Sequence, residues 1–120
     1  MQSSGPRIEV SQEGDVTIAH LLDEEVLEDF VISEIAESLF ALVLDKGSVK
    51  LVLSFANVKH LSSSALGTLI RLNKRVEESD GLLCLCDLIP SLYEIFVITK
   101  LNKLFSIYDN KEMAVSSLKS

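Results

Sequence analysis

Basic side chains are scarce in this 120-residue chain: 11 Lys and Arg stand against 18 Asp and Glu, for a net charge of −7. A polyanion is bound through a Lys/Arg surface that displaces its counterions, so nucleic acid is not expected as a partner. The few cations do not gather enough to reverse this. Lys100 and Lys103 form only a short pair, and Arg71, Lys74 and Arg75 read as a solvated helix face. Long apolar runs are also missing. Nothing approaches the ~20 residues that cross a bilayer, and the opening MQSSGPRIEV lacks the basic-then-apolar order of a signal peptide, so a cytoplasmic location without a membrane partner is expected. The five glycines stand alone, so neither G-x-x-x-x-G-K-[ST] nor G-x-G-x-x-G occurs, and nucleotide hydrolysis and dinucleotide chemistry lose their simplest support. Cysteine is limited to Cys84 and Cys86, whose i, i+2 spacing on an apparent strand puts both thiols on one face. With only His20 and His60 as other soft ligands, a zinc site falls short of its usual four donors, and no metal or cofactor is expected.

What is present is apolar and evenly spread: 48% of residues are hydrophobic and 24% charged, the composition of one globular domain with a single core. Residues 1–6, with Ser3, Ser4, Gly5 and Pro6, read as a flexible lead-in to a domain over residues 7–120. Arg7 to Ser11 and Val16 to Leu21 alternate as strands about a Glu13-Gly14-Asp15 turn. Acidic residues at Asp23, Glu24, Glu25, Glu28 and Asp29 precede apolar positions Leu27, Val31, Ile35, Leu39 and Leu42. That spacing predicts an amphipathic helix with carboxylates in its first turn, closed by Gly47 as a left-handed cap. Val49 to Phe55 is short and almost continuously apolar, as a central strand covered on both faces would be. Leu66, Leu69, Ile70, Leu72, Asn73 and Val76 mark a second helix ending at Ser79-Asp80-Gly81. Leu82 to Leu88 is another buried strand, and Pro90 suits the first turn of a third helix running to about Thr99. Ile107 and Tyr108 read as an edge strand and Asn110 to Leu118 as a last helix. The alternation predicts an α/β fold: a single small domain with a mostly parallel or mixed sheet of 4–5 strands and about four helices packed against it.

Chemistry concentrates at LSSSALG, residues 61–67, between the central strand and the second helix. A serine hydrolase would place glycines two positions either side of its nucleophile, but Leu61 and Ala65 flank Ser63, and no spacing ties His60 to Asp45, Asp80 or Asp87. No catalytic residue is assigned, and the chain is not expected to be an enzyme. One of the serines can instead accept a hydrogen bond from a free N–H of the helix's first turn, worth about 1 kcal/mol. The others remain for modification. A phosphoryl group there would sit at the positive end of the helix dipole at little cost to the fold, whereas the same charge inside a fitted interface would disrupt it.

The segment from Leu51 to Val115 resembles the STAS domain of bacterial anti-sigma-factor antagonists, and the strand order from Ile8 onward fits that family over nearly the whole chain. The family's central motif runs Asp-Ser-Ser-Gly-Leu-Gly after an apolar residue; here Leu61 is followed by Ser62-Ser63-Ser64-Ala65-Leu66-Gly67. Leu101, Leu104 and Phe105 before Ile107-Tyr108-Asp109 are similar to its C-terminal pattern. The resemblance implies a STAS-like fold and a regulatory module that binds an anti-sigma factor, often a serine kinase of the histidine-kinase ATPase type. Phosphorylation of Ser63 would release the partner, and a PP2C-type phosphatase would reset the switch. The expected docking face comprises Asn57, His60, Leu61, Ser62, Ser64, Ala65, Gly67, Thr68 and Arg71, on a protein that is a monomer or weak dimer. Ser62 stands where the motif has an acidic residue, and Ser54 where the family commonly ends its central strand with aspartate. Those two positions favour the alternative, a STAS scaffold or sensory, ligand-binding module that does not switch.

Overall fold

The computed structural model describes residues 7–46 and 49–119. Strands β1 (Ile8–Glu13) and β2 (Val16–Leu21) form an antiparallel hairpin, and Gly14 at its tip adopts φ +64°, a conformation that disfavours any residue with a Cβ. After a two-residue strand β3 (Glu25–Val26) comes helix α1 (Asp29–Lys46), then β4 (Lys50–Ser54), the short β5 (His60–Leu61) and α2 (Ser63–Glu78). Strand β6 (Leu82–Cys86), α3 (Pro90–Ile98), a 3-10 turn at Leu101–Lys103, β7 (Ser106–Tyr108) and α4 (Lys111–Leu118) complete the described chain.

The main sheet has five strands in the order β1-β2-β4-β6-β7, with β2, β4, β6 and β7 parallel and β4 at the centre, as its continuous apolar run predicts. Each crossover moves one strand in the same direction and therefore drops its helix on the same face. Alternation along the strands makes two cores. Leu51, Leu53, Leu83 and Leu85 face α1, α2 and α3, meeting Ile35, Leu39, Leu72, Val76 and Phe96. Val52, Cys84 and Cys86 face the other way, against Ala114, Val115 and Leu118 of α4. Phe96 also packs edge-on against Phe105, centroids 6.0 Å apart. Gly81 is required by close approach: a Cβ there would lie 2.6 Å from the Val49 carbonyl oxygen, where Leu82 N–H donates 2.8 Å to that same oxygen.

The acidic run before α1 behaves differently from its sequence reading. The helix begins at Asp29, the one acidic residue of its first turn, and Leu27 lies outside it. Asp23 is held by Arg7 at 2.6 Å, which also reaches Glu34 at 2.8 Å, while Glu25–Val26 pairs in parallel with His60–Leu61. A two-residue ladder closed by a partner 35 positions away leaves no periodicity for a sequence to reveal. The β6 strand also stops at Cys86 rather than Leu88. The lead-in over residues 1–6 and the cap at Gly47 fall outside the described residues. Among the described residues, no helix is long and apolar enough to cross a membrane.

Candidate functional site

The site is built where the chain leaves the central strand. Phe55 and Val58, both fully buried, pin a turn closed by Val58 N–H donating to the Phe55 carbonyl at 2.9 Å. The backbone is then clamped to β3: the Glu24 carbonyl accepts from Lys59 N–H at 2.7 Å and His60 N–H at 3.2 Å, and the Val26 carbonyl from Ser62 N–H at 3.1 Å. This second ladder fixes the entry to α2.

The three serines then take separate roles. Ser62 is the N-cap, with extended backbone (φ −93°, ψ 168°) and its Oγ accepting from Ala65 N–H at 3.1 Å. Ser63 and Ser64, the first two helical residues, are exposed, and neither hydroxyl makes a hydrogen bond among the described residues. No acidic residue occupies this first turn, so the positive end of a 16-residue helix carries no compensating charge.

Of the expected docking residues, Asn57, His60, Ser64 and Arg71 are exposed, as is the expected phosphoacceptor Ser63, while Leu61, Ser62 and Gly67 are half-buried. Asn57 Nδ2 donates to the Leu21 carbonyl at 3.4 Å. Ala65 and Thr68 are buried and shape the face from beneath. Thr68 Oγ1 accepts from Arg71 Nη2 at 3.0 Å, which holds that guanidinium against the helix. Farther along α2, Arg75 lies over the Phe40 ring of α1 at 5.8 Å and pairs with Glu78 at 3.7 Å. The neighbours that sequence reasoning missed are Glu24 and Glu25: assigned to a helix, they lie just before and on β3 beside the approach, with Glu24 3.9 Å from Lys59.

Ser54 is not part of this constellation. It is 1% exposed, lies on the α4 face of the sheet in register with Cys86, and accepts from Ala56 N–H at 3.4 Å. The adjacent Cys86 thiol is pushed up to about 12 by burial, with its own hydrogen bond to Asp87 at 3.3 Å adding to the shift. Both cysteines are free, buried and on one face, as their spacing implies.

Other chemistry finds little purchase. Open α/β sheets bind ligands where successive crossovers diverge to opposite faces, and here the three crossovers share one face. The apolar cavity behind the serine turn, walled by Leu21, Val26, Ile35, Phe55, Leu61 and Leu69, measures about 20 Å³, near the minimum for one water. No group of three potential metal-ligating side chains occurs among the described residues.

Comparison with known proteins agrees with this architecture. The STAS domain profile matches residues 7–114. A protein of Bordetella bronchiseptica bearing the name anti-sigma factor antagonist BtrV is 28% identical over 88 residues, 73% of this chain and 76% of its own. Among solved structures, an anti-sigma-factor antagonist (STAS) domain protein from Planctomyces limnophilus superposes with a TM-score of 0.82 at 23% identity, covering 93% of this chain and 97% of that one. The Bacillus cell-fate determinant SpoIIAA in its phosphorylated form gives 0.68 at 15% identity, covering 93% and 99%. With its profile match spanning nearly the full length and its fold shared, the chain belongs to the STAS domain family.

Proposed function

We propose that this STAS domain is an anti-sigma-factor antagonist, a non-enzymatic cytoplasmic module that docks through residues 57–61 and the exposed side of α2 and is switched off by phosphorylation of Ser63. The observation that carries the reading is the division of labour at the turn: Ser62 caps the helix, which leaves the Ser63 hydroxyl exposed at a helix start without negative charge. The kinase is the anti-sigma factor itself, of the histidine-kinase ATPase type. Ser63 Oγ attacks the γ-phosphorus of ATP, a P–O bond forms as the bond to the β-phosphate oxygen breaks, ADP leaves and the hydroxyl proton passes to a kinase base. A PP2C-type phosphatase hydrolyses the ester and restores the hydroxyl.

The energetics favour such a switch. A phosphoryl group on free protein meets solvent and the helix dipole. In a fitted interface it must lose water, and a penalty of about 2.8 kcal/mol already lowers affinity a hundredfold. Support also comes from the name of the Bordetella relative and from the phosphorylated state in which SpoIIAA, of the same fold, is known. Incubation with the cognate kinase and ATP tests the reading by intact mass: one phosphate is expected on the parent chain and none on Ser63→Ala. An unmodified parent, or equal modification of both, rejects it.

A second reading keeps the family and drops the switch: a scaffold or sensory module using the same face. Ser62 favours it, because the turn lacks the carboxylate of the family motif. A stable oligomer in sedimentation, with no phosphate acceptance, is its signature. A monomer or weak dimer is expected instead.

A further inference from the structure

We propose that Arg71 is an internal clamp for a phosphoryl group on Ser63, reached along a lane on α2 that Gly67 keeps open; this rests on Ser63 as the modified residue. Ser63, Gly67 and Arg71 stand at i, i+4 and i+8, on one stripe of the helix. Side chains in a helix lean toward its N-terminus, and Arg71 does so: Nη2 donates to Thr68 Oγ1 at 3.0 Å, and a Cβ built on Gly67 would lie 4.0 Å from Nη1. The guanidinium therefore already covers one of the two turns that separate it from Ser63. About 5.4 Å, one helical pitch, remains.

Two features let a phosphoryl group close that distance. Ser63 is the first helical residue, so no preceding turn restricts its χ1 rotamers, and the long Arg71 stem, free to leave Thr68, supplies the remaining reach toward the N-terminus. Gly67 puts nothing in between. The guanidinium fork offers paired donors to phosphate oxygens, and the Thr68 hydroxyl holds it in place without neutralising it. Arg71 would exchange a neutral acceptor for a doubly charged one. That capture also withdraws Arg71 from the docking face, so modification would remove a cation from the surface in the same event that adds an anion. Other charges around the turn come from β3, the residue before it and the approach to α2. Glu24 and Glu25 oppose the phosphate, and Lys59 and His60 favour it; Lys59 is already 3.9 Å from Glu24.

The experiment installs phosphoserine at position 63 of the full chain by codon suppression and follows the ³¹P resonance with pH. His60→Gln is present throughout, so that no imidazole beside the turn contributes. Substituting Arg71→Gln is expected to raise the midpoint of the second phosphate ionisation by about half a pH unit, because a nearby cation favours the dianion. Gly67→Leu, which fills the lane and leaves Arg71 intact, is expected to raise it similarly, while Arg71→Lys keeps part of the effect. Midpoints coinciding within about 0.1 unit in the parent and Arg71→Gln chains overturn the clamp, and a parent-like Gly67→Leu chain overturns the lane. Because no kinase is involved, failure here removes Arg71 from the mechanism and leaves the switch standing. Failure of the kinase assay removes the switch and leaves this geometry intact.

Discussion

Helices α2 and α4 are capped alike and differ in the charges of their first turns. Each is capped by a short polar side chain three residues ahead of the N–H it accepts: Ser62 for Ala65 at 3.1 Å, Asn110 for Met113 at 2.9 Å. In α4 the first turn also holds Glu112, so the dipole meets a permanent carboxylate, while the neighbouring Lys111 is paired with Glu13 at 3.2 Å. In α2, twice as long, that place is taken by exposed hydroxyls. The local physics asks for negative charge at both ends, and only the structural helix carries it in its sequence. A helix start left uncharged beside an exposed hydroxyl suits a charge that arrives and leaves.

The largest expected effect separates the two starts by function. Ser63→Asp should weaken binding to the anti-sigma factor by about a hundredfold, roughly 2.8 kcal/mol, in a titration of the purified pair. The same charge added by Met113→Asp at the start of α4 should leave affinity unchanged, and equal losses at both would break the comparison. Next come the caps, where the helices should behave alike. Ser62→Ala and Asn110→Ala should each lower stability by about 1 kcal/mol in urea unfolding, because each strands an N–H of a first turn. A neutral Ser62→Ala would mean that another serine caps α2. The smallest effect is the dipole itself: Ser63→Asp should stabilise the free protein, and Glu112→Gln destabilise it, by about 0.3–1 kcal/mol, both fading as salt is raised.

Much of this comparison was legible in the sequence, and the reasons are local. The steps Leu69, Leu72, Asn73 and Val76 each proved buried, because a helix on a sheet must present one stripe inward. The continuous apolar runs of β4 and β6 revealed strands covered on both faces. Ile70 fit the same periodic list yet is 40% exposed, since a count of apolar positions does not fix where the stripe ends. What was hidden depended on distant partners. Glu25 and Val26 look like the acidic entry to a helix until His60 and Leu61 arrive to pair with them. At the site, the sequence marked the serine turn, and the residues alone left open which of the three hydroxyls caps the helix. The choice follows from the backbone: the Val26 carbonyl draws Ser62 N–H into the small ladder, which leaves Ser62 extended and makes it the cap. The side of the sheet that Ser54 takes was likewise left to the fold. Ser54 stands where the family commonly ends its central strand with aspartate, and the pleat sends its side chain to the α4 face.

The central claim is that the fold tolerates charge at Ser63 and the complex does not. The direct measurement takes chain bearing phosphoserine at position 63 and compares it with unmodified chain in thermal unfolding and in binding to the anti-sigma factor. The account predicts melting temperatures within about 3 °C of one another and an affinity lower by at least about a hundredfold. Equal affinities, or a phosphorylated chain that has lost its cooperative transition, would contradict it.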